Sequence, residues 1–456
     1  MQGNYETFIS KKQFQQHSNG FLADTDCYSM FDYQADITKW SLSRGRSAIF
    51  ADTGLGKTIM QLSWADQVAK HTGSPVIILA PLAVSDQTIS EGEKFGIQVE
   101  KYQFSDVFGP NIYITNYEQL HNVDADQFSG VVLDESSILK GLNGKIRAQC
   151  TEMFSETPYR LSCTATPSPN DFMELGTQAE FLGIMSQVEM LAMFFIHDGS
   201  DTSKWRLKGH GRKKFFEWLA TWAVFISKPE DLGYSGGSHN LPDIIFHEHI
   251  IDSGITDGLF APIATGLLER NAARRDTVSA RVEKAAEIAN SINDQCLIWC
   301  HLNDESKELV DSINGAVEVT GSDDAETKSS RLLGFSKGEI SKLVSKPKIA
   351  GFGMNWQNCN QMIFVGLSDS WEQFYQAVRR CWRYGQKREV HVHIVSADIE
   401  GGVLANIKRK ESQHKMLKDE MISIMREKTL AQLGRASQEK AHYNNSNSMR
   451  VPSWLA

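Results

Sequence analysis

The stretch F-A-D-T-G-L-G-K-T, from Phe50 to Thr58, organises the rest of this 456-residue chain. An apolar segment precedes it and a helix-forming run follows from Lys57 to Lys70, which is the strand, loop and helix order of a phosphate-binding loop. Gly54 and Gly56 permit tight turns that direct several backbone N–H groups at a phosphate. The N-terminus of the following helix adds partial positive charge. One position departs from G-x-x-x-x-G-K-[ST], because Ala51 stands where the first glycine would be.

The loop predicts a site for a nucleoside triphosphate and Mg²⁺. Lys57 would supply a full positive charge to the outer phosphates, and the hydroxyl of Thr58 would be a magnesium ligand. A glycine-rich helix start without a nucleotide is the alternative for the loop alone, and the later motifs weigh against it. The predicted phosphate-binding residues are Thr53, Gly54, Leu55, Gly56, Lys57 and Thr58.

Composition limits the class of protein. The chain is long enough for two or three domains, and 41% hydrophobic and 23% charged residues are ordinary for a globular protein. No run of about 18 apolar residues predicts a membrane span, and the N-terminus lacks the pattern of a signal peptide. Seven scattered cysteines indicate a reducing compartment, so we expect a cytoplasmic protein without a membrane partner. The net charge of −9 does not indicate nucleic-acid binding, but a basic track needs only local charge.

A second acidic motif follows a buried strand. The apolar run from Val131 to Leu133 leads directly into Asp134 and Glu135. Ligands bind at the carboxyl ends of strands in α/β sheets. We therefore expect Asp134 to hold magnesium through water and Glu135 to polarise the attacking water. A solvated acidic turn is the alternative, which the phosphate loop about 80 residues upstream disfavours.

Further apolar runs predict two parallel α/β sheets. The first half has runs at 76–80, 112–115 and 159–163, and the last of these leads into T-A-T-P-S-P-N, whose hydroxyl residues either sense the γ-phosphate or form an ordinary loop. A second pattern of alternating strands and helices begins at Leu241. Its predicted strands are 244–250, 296–300, 342–345, 362–365 and 390–395.

Residues 171–240 differ from the rest of the chain in composition, because they are rich in methionine and aromatic residues. We expect several helices there. The run K-W-R-L-K-G-H-G-R-K-K at 204–214 contains six basic residues and no acidic ones. A basic patch among aromatics suits a phosphate backbone. A solvated basic face over a packed aromatic stripe is equally consistent with the run. On the first interpretation, the candidate nucleic-acid contacts are Lys204, Arg206 and Lys208.

Three other sets of residues are candidates for chemistry. Arg380 and Arg383 lie three apart on a predicted helix, so both point to one side, and a guanidinium suits the transition state of phosphoryl transfer. Arg379 falls on a different face of that helix. Gln34 lies about twenty residues before the loop, and its amide, which can donate and accept hydrogen bonds at once, could bind the edge of adenine. Cys296, Cys300 and His301 form a weak zinc candidate, because no second ligand pair lies nearby.

The motifs in their order resemble those of superfamily-two helicases. They are Gln34, A-D-T-G-L-G-K-T, A-P-L-A-V-S, I-T-N-Y-E, L-D-E-S-S, T-A-T-P, G-F-G-M-N-W and Q-A-V-R-R-C-W-R-Y-G-Q. The closest branch is the Swi/Snf-type ATP-dependent translocases, whose last motif Q-A-x-x-R-x-x-R-x-G-Q is matched in full at 376–386. M-E-L-G-T-Q-A-E-F-L-G and W-R-L-K-G-H in the middle of the chain are similar to the compact version carried by bacteriophages and prophages. The resemblance covers roughly residues 30 to 430.

The resemblance implies an α/β fold with two tandem RecA-like lobes and ATP with Mg²⁺ between them. The first lobe would span residues 1–170 and would be followed by a helical insertion and linker at 171–240. The second lobe would span 241–398, and a basic helical extension with a flexible tail would follow at 399–456. It also implies the roles of individual residues. ATP would be bound and cleaved from the first lobe by Gln34, Gly54, Gly56, Lys57, Thr58, Asp134 and Glu135, and from the second lobe by Arg380 and Arg383, which would reach across the cleft. Nucleic acid would be contacted by Ser85, Asn116, Tyr117, His301 and Asn355.

The predicted function is an ATP-dependent DNA helicase or translocase in phage replication, recombination or repair. Its predicted partners are DNA that is double-stranded, forked or single-stranded, and a nuclease or recombination protein. Movement on duplex DNA without strand separation, an RNA track, and a nucleic-acid-binding scaffold with a vestigial ATPase remain as alternatives. The chain departs from its relatives at Ala51 and at Ser136 and Ser137, and the serines leave the coupling of hydrolysis to motion open.

Overall fold

The fold is described from a computed structural model. The residues that the structure describes are 19–105, 107–140, 144–168, 171–198, 201–235, 241–252, 277–350, 354–368, 370–398 and 401–433. Several sequence features lie outside them: residues 1–18, positions 351–353 of the G-F-G-M-N-W turn, most of the Y-S-G-G-S-H linker, the tail after 433, and the side chain of Lys204.

The first lobe is built on a seven-stranded sheet in which every strand pair is parallel. Its central strands are short runs of β-branched and aliphatic residues with both faces buried, as expected for a parallel sheet covered by helices. The order is β3-β4-β2-β5-β6-β1-β9. The strands are β1 (Arg46–Ala51), β2 (Val76–Ala80), β3 (Glu100–Lys101), β4 (Ile112–Asn116), β5 (Gly130–Asp134), β6 (Tyr159–Thr164) and β9 (Ala223–Ile226).

Helices cover both faces of this sheet, and each face carries its own buried apolar cluster. The described helices of this half are α1 (Asp32–Arg44), α2 (Lys57–Thr72), α3 (Ser85–Lys94), α4 (Lys145–Met153), α5 (Leu175–Phe181), α6 (Gln187–Phe194) and α7 (Arg212–Leu219). Short 3-10 turns at 82–84, 117–122, 125–127, 136–140, 172–174, 209–211 and 229–232 connect them.

The register of the central strands brings the sequence motifs to one edge. Phe50 on β1 pairs with Thr164 on β6, and Asp134 on β5 pairs with Cys163 on β6. The phosphate loop, the acidic pair and the T-A-T segment therefore leave the sheet side by side at its carboxyl edge, where ligands bind in such folds.

The second lobe repeats the plan with a six-stranded, all-parallel sheet in the order β10-β15-β14-β11-β13-β12. This confirms the predicted α/β class with two lobes on parallel sheets. The strands are β10 (Ile244–Ile251), β11 (Cys296–Trp299), β12 (Ala316–Val319), β13 (Lys342–Ser345), β14 (Gln361–Val365) and β15 (Val390–Ala397). The described helices are α8 (Val278–Ser291), α9 (Asn303–Ser312), α10 (Ala325–Ser336), α11 (Pro347–Ala350) and α12 (Trp371–Val378).

The segment 171–240 is only partly helical, which corrects the prediction. It contains an antiparallel hairpin of β7 (Phe195–Asp198) and β8 (Asp201–Leu207), and its last strand, β9, joins the first sheet beside β1. The run A-V-F-I of β9 is only four residues long, so it is easily overlooked among the flanking aromatics. Phe215 and Trp222 are fully buried in the core of the first lobe. The predicted boundary at residue 170 therefore falls inside one continuous core.

One long helix, α13 (Gly401–Gln432), follows the second sheet and returns to the first lobe. Near its start, Ile407 is buried in the core of the second lobe. Further along, Met421 and Met425 are buried in the core of the first lobe, and the indole of Trp40 donates a hydrogen bond to Gln432 at 2.9 Å. The helix therefore connects the two lobes a second time. None of the described helices combines the length and the apolar character that a membrane span requires.

Candidate nucleotide site between the lobes

The phosphate loop requires glycine at two positions. Gly54 and Gly56 adopt left-handed conformations, with φ values of 90° and 75°. A Cβ atom on Gly56 would lie 2.2 Å from the amide nitrogen of Gln34, and one on Gly54 would lie 3.0 Å from the backbone nitrogen of Tyr384. Backbone conformation and close neighbours from both lobes therefore select glycine.

The loop lysine lies over the loop itself. Lys57 Nζ donates to the carbonyl of Ala51 at 2.9 Å and reaches that of Asp52 at 3.5 Å. Burial lowers the pKa of Lys57, and the nearby carboxylates of Glu135 and Asp134 act in the opposite direction. Thr58 follows on the first turn of α2 and is half-buried. The arrangement fits the predicted role, with an ammonium group poised between the acidic pair and the turn.

The acidic pair is buried and held in place. Burial and the neighbouring charge of Glu135 raise the pKa of Asp134 to about 6, although Gln61 donates to its carboxylate at 2.7 Å. Glu135 has φ 51°, a left-handed conformation that is costly for a residue with a side chain and is typical of functional sites. Thr164 of the T-A-T segment donates to the Glu135 carboxylate at 3.3 Å. The structure thus brings together the metal-binding and water-polarising candidates.

The second lobe brings Arg380 and Arg383 to the cleft. Arg380 is 2% exposed, and burial lowers its pKa while the charges of Glu135 and Asp134 raise it. Burial lowers the pKa of Arg383 to about 9. Within the described part of the chain, Arg380 Nη2 and Arg383 Nε are buried donors without an acceptor. Buried unsatisfied donors are costly, and the oxygens of a triphosphate would satisfy them.

Arg379 contacts the phosphate loop, which the sequence analysis did not predict. It is the residue that caps the C-terminal end of α12, whereas Arg380 and Arg383 lie in the turns that follow and not on the predicted helix. Its guanidinium donates to the Thr53 hydroxyl, to the Thr53 carbonyl at 2.6 Å, and lies 3.3 Å from the Asp52 carboxylate. No local pattern marks it, because the contact depends on how the lobes dock.

Gln34 contacts the loop, and both ends of its amide have partners within the chain. Its oxygen accepts from the backbone N–H of Phe31 at 2.9 Å, and its nitrogen donates to the carbonyl of Leu55 at 3.0 Å. Phe31 is 45% exposed, stacks on Tyr33 at 6.0 Å between centroids, and meets the ring of Tyr384 edge-on at 6.4 Å. These aromatic rings, also missed from sequence, offer a flat apolar surface of the kind that a base prefers.

A hydrogen-bonded chain links the T-A-T segment to the second lobe. Thr166 donates to the Glu372 carboxylate at 3.1 Å, and the ammonium of Lys140 pairs with the same carboxylate. Glu372 is 7% exposed and lies on α12, the helix that Arg379 caps at its C-terminal end. The segment next to Glu135 is therefore joined directly to the helix that leads into the arginines.

A cavity of about 590 Å³ lies between the lobes on the side of Glu135. Its first-lobe wall includes Leu82, Tyr117 and Lys140, and its second-lobe wall includes Lys328 and Lys348. Apolar groups and charges of both signs mix along its surface.

The predicted track residues have other partners. Ser85 is buried at the start of α3, and the Asn116 side chain caps the next turn by accepting from Gln119 N at 3.0 Å. Tyr117 is 3% exposed and donates to the carbonyl of Asp134 at 2.7 Å, although its ring lines the cavity. The Asn355 amide donates to Glu91 at 3.1 Å, which is a contact between the lobes. The backbone N–H of His301 donates to Glu305 at 2.9 Å.

Some basic side chains of the run at 204–214 form contacts within the fold. Lys208 Nζ donates to two backbone carbonyls, each at 2.9 Å, and Arg212 pairs with Glu420 of α13. Arg206, Lys213 and Lys214 are exposed. Phe215, Phe216 and Trp218 beneath the run are buried. The interpretation as a solvated basic face over a packed aromatic stripe therefore describes most of this segment. Elsewhere, Cys296 and Cys300 are free thiols buried in and beside β11.

Comparisons with known proteins find similar helicase sequences. The family model described as DEAD/DEAH box helicase matches residues 31–175, and the model described as Helicase conserved C-terminal domain matches residues 280–385. The chain is 22% identical over 471 aligned positions to protein p41 of Acyrthosiphon pisum secondary endosymbiont phage 1, covering 87% of this chain and 98% of p41.

Two further similarities cover different parts of the chain. It is 25% identical over 177 positions to the SWI/SNF chromatin-remodeling complex subunit snf22 of Schizosaccharomyces pombe, covering 33% of this chain but only 10% of snf22. Among solved structures, the Sulfolobus solfataricus SWI2/SNF2 ATPase core in complex with dsDNA is 17% identical with a TM-score of 0.43, covering 90% of this chain and 98% of that one.

Proposed function

This chain belongs to the superfamily-two helicases and is an ATP-hydrolysing enzyme, and from that premise we propose that it is a DNA translocase of the Swi/Snf type. One observation carries the proposal. The arginines of the second lobe meet the phosphate loop and the acidic pair of the first lobe in a single site. A site assembled from two lobes can report the state of the nucleotide as a change in how the lobes are docked.

Each residue has a defined task in hydrolysis. The loop N–H groups and Lys57 bind the outer phosphates, Gln34 supports the loop, and the ring of Phe31 stacks with the base. Thr58 and Asp134 would hold Mg²⁺, which neutralises charge on the phosphate oxygens when bound. Glu135 orients the attacking water from its strained backbone position. The free donors of Arg380 and Arg383 stabilise the charge that develops on the transferred phosphoryl group.

Hydrolysis would then weaken the docking of the lobes and move the motor by one step. When the phosphoryl group departs, Arg380 and Arg383 lose their acceptors. The change reaches α12 through Thr166 and Glu372 as well as through the arginines. Nucleic acid lying in the cavity between the lobes would be gripped by each lobe in turn.

Two observations favour DNA as the track. The last motif, Q-A-x-x-R-x-x-R-x-G-Q, is matched in full at 376–386. The chain is also similar over 177 positions to a subunit whose name places it in a chromatin-remodelling complex. The exposed Arg206, Lys213 and Lys214 beside the hairpin provide a local basic surface on an otherwise acidic protein.

Point variants test the assignment. Lys57→Ala removes the charge on the outer phosphates, and Arg383→Ala removes a transition-state donor, a loss of about 10³-fold or more in turnover. We expect both to abolish the ATPase activity that DNA stimulates, measured by phosphate release with saturating DNA. Lys307→Ala, an exposed lysine of α9, is the matched control and should hydrolyse ATP at the wild-type rate. Near-normal turnover in either of the first two variants would refute the proposed site.

Separate assays decide between the alternatives. Release of a third strand from a triplex, without release of a strand from a fork, identifies movement on duplex DNA, and the reverse result identifies a helicase. Stimulation of the ATPase by RNA rather than DNA would identify an RNA track. A protein that binds DNA with no turnover at saturation would be a scaffold.

Similarity to p41 over nearly its whole length supports a phage origin, and with it action in the bacterial cytoplasm during phage DNA replication, recombination or repair. In that setting we propose a nuclease or recombination protein as the partner. Co-purification of the tagged chain from infected cells, with and without nuclease digestion of DNA, would identify such a partner or show that there is none.

A further inference from the structure

Asp52 places a negative charge inside the loop that binds phosphates. It directly follows Ala51 at the end of β1, and the residue is 9% exposed. A buried carboxylate beside a polyanionic ligand is unfavourable for both, because like charges repel strongly where water is excluded. The residue therefore needs charge compensation beyond the one hydrogen bond from the loop, in which the backbone N–H of Thr53 donates to its carboxylate at 2.8 Å.

The compensation comes from two distant parts of the chain. From the second lobe, Arg379 lies 3.3 Å from the Asp52 carboxylate, and the hydroxyl of Tyr375 donates to the same oxygen. From α13, Lys418 Nζ lies 2.6 Å from the other oxygen. Burial opposes ionisation of Asp52, but Arg379 and Lys418 hold its pKa well below the ordinary value. Asp52 is therefore charged, and its carboxylate is paired with Arg379 and Lys418.

Lys418 is fixed where it is by the rest of its helix. Three residues further on, Met421 is buried in the core of the first lobe, and Glu420 pairs with Arg212. About a dozen residues earlier, Ile407 is buried in the second lobe. Ile407 and Met421 are about 21 Å apart along the helix axis. The helix is thus anchored in both lobes, with Lys418 lying between the anchors and its side chain 17% exposed.

From these contacts we infer that Lys418 is a positioning residue for the phosphate loop and that α13 sets the affinity of the motor for ATP. By pairing with Asp52, Lys418 offsets its charge and holds the carboxylate on the side of the cations. The loop N–H groups and Lys57 can then face the phosphates. This inference rests on the proposed assignment of the loop as the ATP site, and it adds a determinant that lies some 360 residues away in the sequence.

The test is a measurement of nucleotide binding without nucleic acid. We expect Lys418→Met to weaken binding of a fluorescent ATP analogue, in the presence of Mg²⁺, by on the order of tenfold, since a charge-assisted hydrogen bond is lost. Lys418→Arg should keep the affinity within about twofold, because a guanidinium can pair with the same carboxylate. Lys428→Met is the matched control on the same helix. It removes a lysine whose only described ion pair is a 3.6 Å surface contact with Glu217, and its affinity should equal that of the wild type.

Repeating the measurement in an Asp52→Asn variant separates positioning of the phosphate loop by Lys418 from a general effect on the structure. In Asp52→Asn the repelling charge is absent, so adding Lys418→Met should change affinity by less than about twofold. An equal loss in both backgrounds would mean that Lys418 acts only through folding of the helix, and wild-type affinity in Lys418→Met would overturn the inference directly. Failure of the wild type itself to bind the analogue would instead refute the ATP site, so the two failures are distinct. Thermal unfolding of every variant shows which ones are folded.

Discussion

Residues in this site are arranged for function at the expense of stability, and Asp134 shows this most clearly. Its carboxylate is buried beside that of Glu135, and its pKa is raised to about 6 from an ordinary value of 3.8. Between these two values the folded protein holds a proton that the unfolded chain has released. The contribution of this group to stability therefore falls as pH rises through that window.

Asp134→Asn should accordingly stabilise the protein while abolishing its magnesium-dependent ATPase. The gain at pH 7.5 is expected to be up to about 3 kcal/mol, from a shift of roughly two pKa units. It should shrink toward pH 3, below the ordinary pKa of 3.8, where the wild-type carboxyl is protonated in both states. Thermal or urea unfolding at the two pH values measures the effect. A variant that is less stable than the wild type at pH 7.5 would show that ionised Asp134 makes a net favourable contact in the fold.

At the scale of secondary-structure elements, α12 is the part that we propose joins hydrolysis to motion. Its first turn carries Glu372, which accepts from Thr166 and pairs with Lys140, and its end carries Arg379 on the phosphate loop. Both contacts cross between the lobes. A change at either end of the helix is therefore transmitted to the other without an intermediate loop.

Glu372→Gln should reduce this coupling. The amide still accepts from Thr166 but no longer balances the charge of Lys140, so the docking of α12 is weakened while the ATP site keeps all its ligands. We expect the stimulation of ATPase activity by DNA to fall by about tenfold, with binding of an ATP analogue unchanged. Asp294→Asn, which loses a surface ion pair with Arg388 in the same lobe, is the control. Wild-type stimulation in Glu372→Gln would exclude this route.

Much of the site was predictable at this scale, for a physical reason. Parallel strands end at the same edge, so a glycine-rich loop after one strand and Asp134-Glu135 after another had to meet. The prediction that Arg380 and Arg383 lie on a helix was wrong, because the helix ends at Val378 and both arginines lie in the turns that follow it. Arg379 and Lys418 were not predictable, because their contacts with the loop depend on how whole lobes and α13 pack. Strand β9 was missed because four apolar residues among aromatics give no periodic signal.

At the scale of the whole molecule, α13 makes the first lobe dependent on the end of the chain. The helix packs on α7 and β9, and Met421 and Met425 complete the apolar cluster that those elements share. The second lobe has its own buried clusters, to which α13 contributes Ile407 among its described side chains. The two lobes therefore differ in what they need in order to be stable.

Removing residues 399–456 should destabilise the first lobe selectively. Loss of two buried methionines alone costs several kcal/mol, at roughly 2–5 kcal/mol for each large-to-small change. In hydrogen exchange we expect the amides of α7 and β9 to lose protection, while those of β11 and β14 in the second sheet stay protected. The full-length double variant with Met421→Ala and Met425→Ala should show a milder form of the same pattern. Equal loss of protection in both lobes would contradict the asymmetry.

The return of α13 also has a consequence for biosynthesis. A ribosome makes the phosphate loop early, yet the apolar cluster behind the first sheet stays incomplete until Met421 and Met425 emerge, and Asp52 lacks its lysine until residue 418 does. The lobe translated first is therefore the lobe finished last. A nascent chain exposes that unfinished surface throughout translation of the second lobe, and we infer that it binds ATP at full affinity only after residue 425 has been made.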